Sequence, residues 1–135
     1  MGAMRSGRLL PLAMVLLGAC GDGDGITSDG DLVPTSSERG TFLVQIQLDA
    51  GSFRRGLNPM TVRAMTPSGA PVSLMEVRAR MPGHAHEESR PALRAVNGGY
   101  RVEALDLNMS GRWEITFRFA QGSTQDEALA VTWIY

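Results

Sequence analysis

The sequence predicts an all-β fold, an antiparallel β-sandwich of about seven strands preceded by a signal peptide and a flexible linker. Three observations carry this expectation. Several short runs alternate apolar and polar residues with a period of two. Glycine, proline and asparagine turn signals separate the runs every 8 to 12 positions or so. No segment of about ten residues downstream of the leader repeats at 3.6 with helix caps.

In chain order, the first run is Phe42, Val44, Ile46 and Leu48, alternating with Leu43, Gln45 and Gln47. Residues 60–64 form a second strand, closed by Thr66-Pro67-Ser68-Gly69, where proline and glycine stand as a turn requires. In the third, residues 74–81, Met75, Val77, Ala79 and Met81 are expected on one face and Glu76, Arg78 and Arg80 on the other, with Pro82 as the stop. Residues 92–96 and 100–105 pair around Asn97-Gly98-Gly99, and a change of phase near Ala104 suggests a bulge or a new segment. The sixth strand, residues 112–120, alternates most strongly. In the seventh, residues 127–135, Leu129, Val131, Trp133 and Tyr135 are expected to share a face. Seven such strands suit an immunoglobulin-like sandwich without a cysteine pair, its core resting on Phe42, Ile46, Val77, Val102, Trp113, Ile115, Phe117, Val131 and Trp133.

At 135 residues, 43% hydrophobic and 20% charged, the chain holds one core and no second domain. All 13 basic residues are scattered arginines and the net charge is -1, which argues against nucleic acid as a partner. Arg5 and Arg8 precede the apolar run Leu9 to Leu17, too short for a permanent span of about 20 residues and therefore an export signal. It closes on Leu17-Gly18-Ala19-Cys20, which resembles the lipobox of bacterial lipoproteins. The resemblance implies cleavage before Cys20 and acylation of its thiol and new amino group.

The expected organisation is thus a lipoprotein signal peptide over 1–19, a lipidated, disordered Gly/Asp-rich linker over 20–40 and the β-sandwich over 41–135. The location is the cell envelope, with the domain anchored by lipid on Cys20 and facing the periplasm. Gly21 after the cysteine favours the outer membrane. Cys20 is the one cysteine, so acylation leaves no thiol for a nucleophile, a disulfide or a metal. Asp22 and Asp24 have calcium-loop spacing, but Ile26 stands where a third ligand belongs.

Met81-Pro82-Gly83-His84-Ala85-His86, then Pro91, Gly99-Tyr100-Arg101-Val102, and Leu107 through Met109-Ser110-Gly111-Arg112-Trp113 to Ile115 resemble the signature of the YtkA-like domain, related to the FixH-like group. Many members carry a second methionine after Met-Pro, where this chain has Gly83-His84. The resemblance implies an exported or membrane-attached immunoglobulin-like domain, in some members within settings of copper handling or oxidase assembly.

The residue chemistry allows such a role. His84 and His86 at i, i+2 can point the same way on extended backbone, and imidazole suits copper or zinc. Met81 and Met109 would add thioethers that select Cu(I), while Glu87 and Glu88 offer hard oxygens instead. The bland reading is that both methionines pack in the core and both histidines are solvated loop residues. No serine sits in a nucleophile elbow and no glycine-rich phosphate loop opens a helix, so catalysis is not expected. Two functions remain: a lipid-anchored periplasmic domain binding or delivering copper, and a non-catalytic interaction module that docks onto an envelope protein partner without metal.

Overall fold

A computed structural model describes residues 24–26, 30–84 and 88–135. The expected leader and Cys20 lie outside these residues. The fold is all-β, with antiparallel sheets and no helix among the described residues. Its strands are β1 (Asp24–Ile26), β2 (Leu32–Pro34), β3 (Leu43–Leu48), β4 (Gly56–Leu57), β5 (Met60–Met65), β6 (Ser73–Arg80), β7 (Leu93–Val96), β8 (Gly99–Val102), β9 (Asp106–Leu107), β10 (Gly111–Gln121) and β11 (Thr124–Ile134). Three sheets result, ordered β1-β2-β11-β10-β6, β3-β5-β8-β7 and β4-β9. Each of the seven sequence-predicted strands has a counterpart, and β1, β2, β4 and β9 are additional short ones.

One hydrophobic cluster joins the two larger sheets. Val44, Val62 and Val102 enter it from the four-stranded sheet, and Val77, Ile115, Phe117, Phe119, Ala128 and Ala130 from the five-stranded one. Each large apolar side chain buried there contributes roughly 1.5–3 kcal/mol. The phase change expected near Ala104 is present: β8 ends at Val102, Ala104 is exposed, and Leu105 and Leu107 are fully buried.

Three expectations need correction. Trp133 is 44% exposed, and Leu129 and Tyr135 are exposed beside it. The buried face of β11 is instead Asp126, Ala128, Ala130, Thr132 and Ile134. The cause is volume: Phe117 stands opposite Ala128 and Ile115 opposite Ala130, so the large residues of β10 need small cross-strand neighbours. Val131 is buried as expected, but on the outward face, where Leu32 pairs with it.

In β6, Met75 is 52% exposed while Leu74 is buried. Arg118 pairs with Glu76 and Phe119 with Leu74, so Met75 is the extra residue of a bulge that turns both Leu74 and Val77 inward.

Residues 30–40, expected in the linker, belong to the folded domain. Asp31 is 2% exposed; its Oδ1 accepts from the Thr132 hydroxyl at 2.5 Å and its Oδ2 from the Phe53 amide at 2.8 Å. Further along, Ser37 is buried, the Glu38 amide donates to the Glu127 carbonyl at 2.7 Å and the Arg39 amide to Asp126 at 3.1 Å. A run poor in apolar residues is held by hydrogen bonds from buried polar groups, a signal that hydropathy does not carry.

Candidate functional site

Met81 to His84 form a tight turn in which the His84 amide donates to the Met81 carbonyl at 3.2 Å. Pro82 takes the first central position and Gly83 the second, with φ 80°, the residue pattern of a type II turn. The chain returns to the edge of β6 at Ser89, which exchanges two backbone hydrogen bonds with Ala79, at 2.9 and 3.0 Å. The His84 side chain is exposed on this loop.

The thioethers face elsewhere. Met81 is 7% exposed and belongs to the core, its terminal carbon lying where a Cβ on Gly111 would stand. Met109 is half-buried against the same core, and its carbonyl accepts from the Trp113 indole at 3.0 Å. Of the four residues expected to hold metal, Met81 and Met109 therefore pack with the core and His84 faces solvent, while His86, with Glu87, lies outside the described residues. Among the described residues no three His, Cys, Asp or Glu side chains group as a metal site. The donor set these residues offer does not by itself fit a copper ion.

A second feature is one that sequence reasoning assigned to the core. On the outward face of β6, β10 and β11, Arg112 stands opposite Trp133 and its guanidinium lies 5.9 Å from the ring centre. Arg112 also donates to Glu114 at 2.7 Å, and Arg80 reaches the other oxygen of Glu114 at 3.3 Å. The Arg112 hydrogen bond is the main cause holding the Glu114 carboxyl below its usual range, with Arg80 assisting and burial opposing. Further along the same face, Glu76 lies between Arg118 at 3.3 Å and Arg90 at 3.7 Å. These exposed pairs hold side chains in place more than they stabilise the fold.

At the end of β11, Asp31, Phe53, Arg54, Arg55, Trp133, Ile134 and Tyr135 line an open depression of about 410 Å³. The loop carrying the two arginines is fixed by Asn58, which is 2% exposed. Its amide nitrogen donates to the carbonyls of Arg54 and Gly56, both at 2.8 Å, and its oxygen accepts from the Arg54 amide at 2.8 Å. A phase error on β11 hid this site from the sequence. Alternating volume between the paired residues of β10 and β11 was the signal that could have revealed it.

Comparison with known proteins gives no match: no protein family, no curated protein and no solved structure matches the chain.

Proposed function

We propose that the chain is a non-catalytic binding module of the cell envelope, anchored in the outer membrane by acyl groups on Cys20 and facing the periplasm. In this reading the described residues form an immunoglobulin-like sandwich. Support comes from the order of the seven longer strands: first, second, fifth and fourth share one sheet, and third, sixth and seventh the other, the partition of a constant-type domain. The exposure of Trp133 carries the functional part. An indole 44% exposed on a sheet face, with an arginine over its ring, combines two of the residue types enriched at binding hot spots.

The partner is another envelope component, met through the outward face of β10 and β11. A photo-crosslinking residue at position 133 of the lipoprotein in native membranes is expected to trap that component. The same residue at Gln45, exposed on the four-stranded sheet, is expected to trap none. Equal capture from both positions, or none from 133, would count against the reading.

The exposure of His84 leaves one further reading, copper binding by the loop after β6. Imidazole suits copper, but the Met81 thioether turns into the core, so the ligands of this reading are the histidines. A resemblance to YtkA-like domains points the same way. Stoichiometric Cu(I) binding lost in a His84→Ala, His86→Ala variant would support it, and affinity weaker than about micromolar would contradict it.

A further inference from the structure

We infer that the depression at the end of β11 binds an anionic saccharide, an inference that rests on the β11 face being the binding surface. Trp133 borders the depression and is 44% exposed. Arg112 covers the side toward β10. On the other side β2 runs antiparallel to β11, with Leu32 opposite Val131. Thr132 and Asp31, one step further, are joined by a side-chain hydrogen bond, and extending the same register places Gly30 nearest Trp133. Gly30 has no side chain, and a Cβ built there would meet nothing within 4 Å. Among the described residues, the chain leading into β2 thus sets no side chain opposite the Trp133 ring.

The exposed charged side chains around that space are positive. Arg54 and Arg55 are exposed, line the depression, and pair with no carboxylate among the described residues. Asp31 is the one carboxylate side chain among the lining residues; it is buried with both oxygens engaged by Thr132 and Phe53, so the exposed charged side chains are the two arginines. The backbone of the loop is held by Asn58, so binding has the arginine side chains but not the loop to order.

A ligand for this site needs a face that packs on indole and a negative group that meets guanidinium. A pyranose bearing a carboxylate or sulfate supplies both, its C–H face on Trp133 and its anion at Arg54 and Arg55. An acidic peptide is the weaker fit. Extended peptides draw affinity from an open strand edge, and the edge of β11 beside the depression is occupied by the chain at Asp31 and Leu32.

The test uses the full-length lipoprotein in a sugar-free detergent, titrated calorimetrically with tetragalacturonate, a heparin tetrasaccharide, neutral cellotetraose and a decaglutamate peptide. Saturable binding of an acidic saccharide is expected, at least about tenfold tighter than cellotetraose. Trp133→Ala and an Arg54→Ala, Arg55→Ala double variant are each expected to weaken it by about tenfold or more. Trp133→Phe, which keeps an aromatic face, is expected to retain most of it. Carboxylate and sulfate probes distinguish the anion. No binding of either acidic saccharide, binding unaffected by Trp133→Ala, or tighter binding of decaglutamate would overturn the inference. If position 133 still crosslinks an envelope component while the saccharides fail, this inference falls and the reading of the β11 face stands.

Discussion

Trp113 and Trp133 differ in what they touch. Trp113 is 4% exposed with its indole bonded to the Met109 carbonyl, whereas Trp133 stands on the outer face. Trp113→Ala is expected to cost roughly 3–5 kcal/mol. Trp133→Ala is expected to cost less than about 1 kcal/mol. Urea unfolding of both variants checks the contrast. Asp126 is the other informative residue. Burial opposes its charge, but hydrogen bonds from Ser37, the Glu127 amide, Thr41 and the Arg39 amide outweigh that and hold its carboxyl well below the usual range. Its folded pKa is depressed, so the stabilisation is complete above the unfolded value of about 3.9 and is lost as pH falls toward the folded value. Urea midpoints should therefore drop below about pH 4 in the native chain, and Asp126→Asn should flatten that part of the profile.

At the scale of the strand, period and phase are separate pieces of information. The longer strands were legible because most of them alternate over several residues between turn signals, and the change of phase at Ala104 was visible as Leu105 taking over from Val102. The phase of β11 was not legible. Its inner face is Ala128, Ala130 and Thr132, and its outer face carries the larger Leu129 and Trp133, so hydrophobicity pointed the wrong way. The bulge in β6 was hidden for a related reason: Leu74 and Met75 are both apolar, and only the pairing with Arg118 and Phe119 decides which turns inward. Deletion of Met75 leaves Leu74 and Val77 both facing the core in a regular strand. That variant should keep its thermal midpoint within a few degrees, about 1 kcal/mol. Deleting Arg78 reverses the face of every residue before it in β6 and should unfold the domain or lower the midpoint far more. Equal effects of the two deletions would contradict the assigned register.

At the scale of the whole molecule, two buried aspartates fasten residues 30–40 to the last strand, Asp31 through Thr132 and Asp126 through Arg39. The sequence placed the start of the domain at Thr41 because glycine and aspartate rarely enter a core; here they enter as hydrogen-bonding groups. A chain beginning at Thr41 is expected to be at least roughly 3 kcal/mol less stable than one that includes Asp31, read from urea midpoints, because buried partners are left unsatisfied. The His loop after β6 resisted reading for the opposite reason, since exposed imidazole looks alike in sequence whether it binds metal or water.

Hydroxyl-radical footprinting of the tryptophans, in purified protein and in intact envelopes, tests most directly whether the β11 face binds a partner. Trp113 should be protected in both preparations. Trp133 should be oxidised in the purified protein and protected in envelopes. Equal oxidation of Trp133 in both would contradict the proposed function.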